Sequence, residues 1–475
     1  MFSVAAAIFV THGVAVGEVT DRSAVLWARS SAPAEMVVQY AAGGASATVR
    51  SRSEPERDFT AKVKLENLSP ATSYRYRIHF EAGAEVSDVV EGSFQTAPSP
   101  SSPAAIKFVV AGDLGGHRYC REETAGYAVF DRMRELDPHF FIANGDMIYA
   151  DSDCPEERPG GGRNIPGDFP RIDDPSVDWT DAARVREVYL AHWRYNRADP
   201  SFQRFLLAVP MYSQWDDHEV INDFGAGWPR WTAAAEREGY PVLVQAGRDA
   251  LFDFHPLWRQ LEEPDRIYRT FRWGADVELF LLDARSYRSA NVEEDAGGKT
   301  LLGRAQLDWL KDGLARSSAT WKIVSSDVPL SIATGTRAEV YGRDAFADGD
   351  PASPPRTGSE TELRELLTHL DRENVRNVVF VVTDVHFATS LRYRIDLDSD
   401  SDPLLFHELV TGPLSAGPIP AKAPDATFAP EVLYVEGDFF NFGFTSADAL
   451  ELVYEVRDDR GRVREASRLT IPAER

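Results

Sequence analysis

Apolar and polar residues alternate over short runs in the first hundred residues, with the two-residue period of a strand that buries one face. The runs are SAVLWARS, EMVVQYA, FTAKVKLENL, SYRYRIHF and EGSFQTA, separated by Gly, Pro, Ser and Asp clusters. Several short strands at this spacing predict an all-β sandwich over residues 1–97. The Pro- and Ser-rich stretch PSPSSPAA then predicts a linker over residues 98–105.

After the linker, strand patterns alternate with helical patterns, in which apolar residues recur every three or four positions. Helices are predicted in AGYAVFDRMRELD, RVREVYLAHWRYN and RAQLDWLKDGLARS. Two stretches rich in Gly, Pro and Asp, residues 155–178 and 342–358, are predicted to be long loops that flank a site. We therefore expect an α/β domain over residues 106–475.

Acidic residues recur just past the ends of short apolar runs in this second region. Together with the aromatic and imidazole side chains beside them, they are Asp113, Asp146, Tyr149, Asp216, Asp217, His218, Asp327, Asp384 and His386. Ligands of an open sheet gather in the crevice outside its strand ends. Ionised carboxylates that crowd together repel each other and are costly to desolvate, unless cations lie among them. The pattern therefore predicts a metal centre.

Composition narrows the class of protein. The length of 475 residues and the 43% hydrophobic content suit a large folded protein of two domains. The net charge of -24 argues against specific nucleic-acid binding, because that affinity comes mostly from Lys and Arg. No stretch reaches the roughly 20 apolar residues of a membrane span. The start, MFSVAAAIFVTHG, has no basic region and only a short apolar run, so it makes a poor signal peptide.

The two cysteines occupy corresponding places after two of the acidic residues. Cys120 lies seven residues after Asp113, and Cys154 lies eight after Asp146. If the two preceding strands are neighbours, both cysteines lie in adjacent loops near the metals. A disulfide there would suit an exported protein, and free thiols are the alternative.

Three motifs carry a resemblance to a known family. GDMIY, WDDHEVIND and TDVHFA, in that order, resemble the alkaline phosphatase D (PhoD-like) family of calcineurin-like metallophosphoesterases. LLDARSYR, LLGRAQLDWL and WKIVSSDVP lie between them as they do in that family, and the first hundred residues resemble its fibronectin type III-like N-terminal module. The resemblance covers nearly the whole chain. It implies a two-layered β core flanked by helices, with two metals at the strand ends.

The resemblance also implies a ligand set for each metal. The first metal is expected to bind Asp113, Asp146, Tyr149 and His386, and the second Asp146, Asp217, Asp327 and Asp384, with Asp146 as the bridge. A phenolate ligand favours ferric iron, and an all-oxygen shell suits calcium, with Mn²⁺, Mg²⁺ and Zn²⁺ as alternatives. Asp327 has the alternative of capping a turn before Pro329. Relatives often carry Cys where Asp113 stands, which weakens the case for iron.

Further residues are assigned roles around the metals. His218 is expected to donate a proton or contact phosphate, and Asn222 to orient the substrate or brace His218. Arg285 is a candidate phosphate clamp, although an ion pair with Asp283 or another carboxylate is the alternative. Asp216 is expected to support Asp217 rather than to bind metal. His117, four residues past Asp113, is expected to be a structural loop residue rather than a ligand.

We therefore expect a hydrolase in which a water activated by two metals attacks a phosphate monoester or diester. Such an enzyme is expected to be exported to the periplasm, the cell wall or the medium. The alternative from another class is a secreted binding protein that uses calcium for adhesion. Tyr149, His218 and His386 argue against it, because calcium binding has no use for a titratable imidazole beside the ion.

Overall fold

The computed structural model describes residues 7–226, 234–349 and 356–474. In chain order the strands are β1 (Val10–Gly17), β2 (Ala24–Ser30), β3 (Ala34–Ala42), β4 (Ala45–Ser53), β5 (Thr60–Leu65), β6 (Ser73–Ala82), β7 (Glu85–Val86), β8 (Val90–Gln95), β9 (Ile106–Ala111), β10 (Phe140–Asn144), β11 (Met211–Gln214), β12 (Arg269–Trp273), β13 (Val277–Leu281), β14 (Trp321–Ser326), β15 (Val378–Val382), β16 (Ala388–Ile395), β17 (Leu404–Val410), β18 (Glu431–Glu436), β19 (Asn441–Ala447), β20 (Glu451–Asp458) and β21 (Leu469–Pro472). The helices are α1 (Val129–Arg134), α2 (Ala182–Arg197), α3 (Pro200–Ala208), α4 (Ala234–Phe254), α5 (Arg304–Arg316), α6 (Ala338–Tyr341) and α7 (Glu360–Arg372).

The described strands form three sheets. A nine-stranded sheet has the order β21-β20-β19-β9-β10-β11-β1-β2-β5, and a seven-stranded sheet has the order β12-β13-β14-β15-β17-β16-β18. The third sheet has the order β4-β3-β6-β7, with β8 also paired to β6. The runs predicted as strands in the first hundred residues form β2, β3, β5, β6 and β8.

Alternation along the strands separates the layers of the core. In β9, Phe108 and Val110 pack between the two large sheets, whereas Val109 and Ala111 pack against helices on the outer face. In β15, Val379 and Val381 pack between the sheets, and their neighbours face outward. Strands buried on both faces are continuous apolar runs because each alternate residue enters a different core layer.

Helices cover the outer faces of the two large sheets. Residues of α1, α2, α3 and α4 share one apolar cluster with the nine-stranded sheet, and residues of α5 and α7 share another with the seven-stranded sheet. The predicted helices correspond to α1, α2 and α5. The prediction of a two-layered β core flanked by helices and preceded by an all-β region is therefore confirmed. Among the described helices, none combines the length and apolar character needed to cross a bilayer.

The N-terminal strands join the large sheet rather than standing apart from it. The parallel pairing of Gly17 in β1 with Met211 in β11 extends the nine-stranded sheet. Lys62 of β5 donates to the carbonyl oxygens of Phe252 and Leu257 at 2.6 and 2.8 Å. Of the start MFSVAAAIFVTHG, weighed in the sequence as a signal peptide, the last four residues lie in β1 and residues 1–6 lie outside the described residues. The predicted limits of 1–97, 98–105 and 106–475 stay a prediction.

Candidate metal centre

The carboxyl ends of five strands meet at one edge of the β core. Strands β9, β10 and β11 are parallel in one sheet, and β14 and β15 are parallel in the other. The hydroxyl of Thr383, just after β15, donates to the carbonyl oxygen of Asn144 at the end of β10 at 2.8 Å. This bond brings the ends of the two sheets together, so the residues that follow the strands converge.

The first cluster contains Asp113, Asp146 and His386, whose ligand atoms lie within 4.8 Å of one another. The Nδ1 atom of His386 is 2.7 Å from the carbonyl oxygen of Gly417, so Nδ1 is the donor and Nε2 is left as the acceptor. The phenol of Tyr149 lies 2.8 Å from this Nε2. The structure thus gathers the four predicted ligands of the first metal, with the imidazole in the tautomer that metal binding requires.

A second cluster shares Asp146 with the first. The ligand atoms of Asp146, Asp217 and His218 lie within 4.8 Å of one another, as do those of Asp216, Asp217 and Asp384. Asp146 therefore lies between the two clusters, in the position predicted for the bridge. We call the four carboxylates Asp113, Asp146, Asp217 and Asp384 the carboxylate crevice.

Several carboxylate oxygens of the crevice are buried without a hydrogen-bond partner. Among the described residues, none bonds to either oxygen of Asp113, to Oδ1 of Asp217 or to Oδ2 of Asp384. A buried polar atom left unpaired costs roughly 1–3 kcal/mol, and more when it is charged. Oxygen donors at this density match the hard ligands of Ca²⁺, Mg²⁺ or Mn²⁺, and Tyr149 and His386 add donors suited to iron. The residues therefore fit a pair of cations.

Burial raises the pKa of three of these carboxyl groups, whereas at Asp217 the charges of His218 and Arg285 outweigh burial and lower the pKa to about 2. Burial raises the pKa of Asp113 to about 8. Burial and then the negative charge of Asp217 raise the pKa of Asp146 and of Asp384 well above the usual range of an aspartate. Cation binding to such groups releases protons, so metal affinity and ionisation are coupled.

Four residues of the first cluster and its surroundings have left-handed backbone conformations. The φ angles are 59° for Asp113, 52° for Asp146, 74° for Asp384 and 57° for His386. Non-glycine residues rarely adopt positive φ, and each such residue costs of order 1–3 kcal/mol. The surrounding fold must hold these side chains in place, which is typical of preorganised sites.

Behind the crevice, two arginines neutralise other buried carboxylates. Arg285 is fully buried, and its Nε donates to Oδ1 of Asp216 at 2.7 Å. Its Nη1 donates to both oxygens of Asp344 at 2.8 Å, and Arg288 also pairs with Asp344. We call Arg285, Arg288, Asp216 and Asp344 the arginine network. Arg285 has the ion pair that was the alternative to a phosphate clamp, although Asp216 and Asp344 are its partners rather than Asp283.

Asp327 is the predicted metal ligand that the structure places outside both clusters. Its two oxygens each lie 3.2 Å from the backbone nitrogen of Ala284, and Oδ2 lies 3.9 Å from Nε of Arg285. The carboxylate thus holds the segment after β13, a role close to the capping alternative. Asp216, expected to support its neighbour, leaves Oδ2 unpartnered among the described residues.

His218 lies beside the crevice and is held by a residue that sequence reasoning missed. Its Nδ1 is 2.6 Å from Oδ1 of Asp151, and the other oxygen of Asp151 accepts from the backbone nitrogen of Asn222 at 3.0 Å. Burial alone lowers the pKa of His218, but the charges of Asp151 and Asp217 outweigh it and raise the pKa to about 9. The motif GDMIYAD contains Asp151, so the signal was present, two residues past Tyr149.

Glu219 is a second residue that the sequence did not single out. It is fully buried, and its carboxylate accepts from the backbone nitrogens of Asp146, Met147 and Asp216 at 3.0, 2.7 and 2.9 Å. These bonds fix the two loops that carry the second cluster. Only its place in WDDHEVIND pointed to it.

The two cysteines are joined, which decides between the alternatives left open by the sequence. Cys120 and Cys154 form a disulfide with a Cα–Cα distance of 5.7 Å. The bond ties the loop after β9 to the loop after β10. It thereby links the segments that carry Asp113 and Asp146.

Comparisons of sequence and fold with known proteins identify the family of this chain. A curated relative, alkaline phosphatase D of Bacillus subtilis (strain 168), is 26% identical over 383 residues, which cover 77% of this chain and 59% of the relative. This chain thus spans less than two thirds of the length of that relative. The solved structure of PhoD superposes with a TM-score of 0.75 at 20% identity, covering 94% of this chain and 86% of that one.

A purple acid phosphatase, PPD1 from yellow lupin (Lupinus luteus) seeds, shares the fold with a TM-score of 0.60 at 14% identity, covering 98% of this chain and 74% of that one. Residues 3–98 match the family model described as the PhoD-like phosphatase N-terminal domain. Residues 109–451 match the model described as PhoD-like phosphatase. The predicted resemblance is confirmed, and the chain belongs to the PhoD-like phosphatase family.

Proposed function

We propose that this protein hydrolyses phosphate esters at the carboxylate crevice with the help of two cations. The observation that carries the proposal is that two clusters of buried ligand atoms share Asp146. One cluster adds Asp113 and His386, and the other adds Asp217 and His218. Membership of the PhoD-like phosphatase family supports the same reaction class.

We propose that the two cations have separate ligand sets. The first set is Asp113, Asp146, Tyr149 and His386, and the second is Asp146, Asp217, Asp327 and Asp384. Cations so placed supply Lewis acidity, lower the pKa of water and neutralise charge on the phosphoryl group. Asp327 has the weakest support, because its oxygens face the backbone nitrogen of Ala284. Asp216 is the substitute, since it clusters with Asp217 and Asp384.

Iron at the first position and calcium at the second is the proposed pair. A phenol and an imidazole beside two carboxylates favour a transition metal, whereas carboxylates alone favour a hard cation. Elemental analysis is expected to give iron and calcium, together with a visible absorption band from Tyr149. The band is expected to vanish in Tyr149→Phe, and zinc as the only metal would contradict the assignment.

The residues beside the cations have proposed roles of their own. His218 is held through Nδ1 by Asp151, so its Nε2 is available to give a proton to the departing oxygen of the ester. Asn222 braces this arrangement through its backbone bond to Asp151. Arg285 is fully buried and pairs with Asp216, and its Nη2 lies 3.9 Å from Oδ1 of Asp217, so we propose that it acts by holding these two carboxylates.

The proposed substrates are small phosphate monoesters and diesters, because both reactions use the same cations and water. Hydrolysis of p-nitrophenyl phosphate and bis-p-nitrophenyl phosphate by protein loaded with iron and calcium tests the activity and separates the two classes. Failure to hydrolyse either ester would contradict the proposal. It would favour the calcium-dependent adhesion protein. Such a protein would leave the imidazole of His218 without a role, because calcium binding uses oxygen ligands.

Export is also proposed. A disulfide between Cys120 and Cys154 is the bond expected in an oxidising compartment, because cytosolic thiols are kept reduced. Thiol titration of protein taken directly from the native cell fraction is expected to find no free thiol. Two free thiols in that sample would contradict the proposal.

A further inference from the structure

An exposed imidazole stands over the crevice on the loop that follows β9. The ring centre of His117 lies 5.1 Å from that of His386, 5.6 Å from that of Tyr149 and 6.3 Å from that of His218. The three rings it faces all belong to the candidate metal centre. The sequence alone indicated a structural loop residue, so this position is a finding of the structure.

His117 is not placed as a metal ligand. Within the described part of the chain, the clusters of potential ligand atoms include Asp113, Asp146 and His386, but not His117. Its side chain is exposed, whereas the clustered carboxylates and His386 are largely buried. Solvent or a bound group can reach the ring nitrogens of this exposed side chain. The imidazole therefore has a donor available for a group that enters the crevice.

The loop around His117 is held in one conformation by several contacts. His117 and Arg118 have φ angles of 53° and 67°, and the backbone nitrogen of Tyr119 donates to the carbonyl oxygen of Gly116 at 3.0 Å. The side chain of Asn164 donates to the carbonyl oxygen of Arg118 at 2.9 Å. The disulfide at Cys120 anchors the next position. The ring is therefore presented by a fixed loop.

The walls beside the ring leave no space for further side-chain atoms. A Cβ added to Gly116 would lie 2.6 Å from the ring of Tyr149, so the loop lies directly on that ring. A Cβ added to Gly417 would lie 3.1 Å from Cβ of His117. Both glycines allow His117 to stand close to Tyr149 and His386 of the first metal's proposed ligands.

We propose that His117 donates a hydrogen bond to a phosphoryl oxygen of the bound ester, and to inorganic phosphate when the product is bound. The reacting group of this enzyme class is an oxyanion, and an imidazole N–H is a suitable donor to it. His218 is a neighbour of both rings, with its ring stacked on Tyr149 at 4.0 Å between centres and 6.3 Å from His117. His117 thus binds the phosphoryl group, while His218 serves the departing oxygen. This inference rests on the proposed function.

The test compares two variants of the same loop. His117→Gly removes the imidazole and keeps the positive φ without strain, and Arg118→Gly makes the same backbone change at the next position. Arg118 is an exposed side chain whose nearest carboxylate, on Asp153, is 3.9 Å away. Salt at about 0.2 M screens the general effect of losing its charge.

Binding of inorganic phosphate to the metal-loaded protein is measured by calorimetry, together with kcat, KM and metal content. His117→Gly is expected to weaken phosphate binding and lower kcat/KM by about 10-fold to 100-fold, the loss of a hydrogen bond to a charged group, with both metals retained. Arg118→Gly is expected to stay within about two-fold of the unaltered protein. Equal losses in both variants would assign the effect to the loop and overturn the proposal.

Two further outcomes would also overturn it. Unchanged phosphate binding in His117→Gly would show that His117 does not contact phosphate. If the unaltered protein still hydrolyses esters, the proposed function would stand. Loss of a metal from His117→Gly would make the residue a ligand or a support of one. By contrast, an unaltered, metal-loaded protein that hydrolyses no ester would overturn the proposed function and this inference with it.

Discussion

The carboxylate crevice and the arginine network bury the same kind of group in two different ways. Asp216 and Asp217 are adjacent in the chain, yet Asp216 bonds to Arg285, whereas Oδ1 of Asp217 has no hydrogen-bond partner among the described residues. Asp344 likewise has two arginines, whereas both oxygens of Asp113 have no partner among the described residues. The arginine network carries its own cations, and Nη2 of Arg285 approaches the crevice to 3.9 Å from Oδ1 of Asp217.

The difference separates structural carboxylates from those that serve chemistry. A buried charge is costly unless a partner compensates it. In the arginine network, guanidinium groups supply part of this compensation, although burial still raises the pKa of Asp216 well above its usual range. In the crevice, the pKa of Asp113 rises to about 8, so the group holds a proton until a cation replaces it. Buried carboxylate oxygens without a hydrogen bond therefore indicate where cations bind, and Asp216, with one oxygen on Arg285 and the other unbonded among the described residues, lies at the border of the two regions.

The largest effect is expected from Asp146→Asn, which removes the charge shared by both clusters. Both metals are expected to be lost and hydrolysis to fall by about 10³-fold or more, because the cations supply several kcal/mol of transition-state stabilisation. Metal content and nitrophenyl ester hydrolysis are measured together. The control is Asp308→Asn, an exposed carboxylate paired with Arg304. Full metal content in Asp146→Asn would refute its bridging position.

His218→Ala tests a side chain beside the crevice that is not a proposed metal ligand. Turnover is expected to fall by about 10²-fold, within the range of general acid catalysis, because no group is left to protonate the departing oxygen. Both metals are expected to remain. Asp151→Asn, which disturbs only the bond to Nδ1, is expected to have a smaller effect. Normal turnover in His218→Ala would eliminate the proposed role.

Arg285→Met tests the arginine network. The free energy of unfolding is expected to fall by about 3–5 kcal/mol, because Asp216 would become an uncompensated buried charge and Asp344 would keep only Arg288 of its two arginines. Urea unfolding measures it, with Arg304→Met as the control, since Arg304 is 65% exposed and paired at the surface. An exposed pair contributes about 0–1 kcal/mol. Equal unfolding free energies in the two variants would show that the arginine network stabilises the fold no more than a surface ion pair does.

Glu408 offers a third way to bury a carboxyl group, which is to keep its proton. It is fully buried, accepts from the backbone nitrogen of Leu330 at 2.7 Å and contacts the hydroxyl of Tyr393. Burial raises its pKa from 4.5 to about 7. A folded-state pKa above the unfolded value gives stability that is full below pH 4.5 and is lost as the pH rises through about 7.

The smallest effect is therefore expected from Glu408→Gln, which cannot ionise. Between pH 5 and pH 8 the variant is expected to gain about 2 kcal/mol of unfolding free energy relative to the unaltered protein. Urea unfolding at the two pH values measures the change. The exposed Glu465→Gln serves as the control and is expected to show no such gain. The same difference at both pH values would show that Glu408 is ionised when folded.

Much of the fold was readable because local patterns report it directly. Alternation in β2 and in β6 and the helical period in α2 and α5 identified these elements. The joining of β1 to β11 was not readable, because pairing between strands some 190 residues apart leaves no local signal. The predicted boundary near residues 98–105 says nothing about that contact.

The sequence predicted the positions of some residues of the candidate site better than those of others. Asp113, Asp146 and His386 follow apolar runs, and the structure brings them together. Arg285 and Asp327 also follow such runs, but Arg285 bonds to Asp216 and the oxygens of Asp327 face the backbone nitrogen of Ala284. The strand ends predict a common edge of the sheet. They do not tell which side chain of each loop turns inward.

The sequence by itself determined the family, the strand and helix types, and the residue types available for metal binding, because periodicity and motif order are properties of the chain alone. Only the tertiary structure decided that Asp216 bonds to Arg285 while Asp217 lies 3.9 Å from it, that Cys120 bonds to Cys154, and that His117 faces the crevice. The physical reason is that compensation of a buried charge depends on what lies within a few ångströms, and those neighbours come from distant parts of the chain.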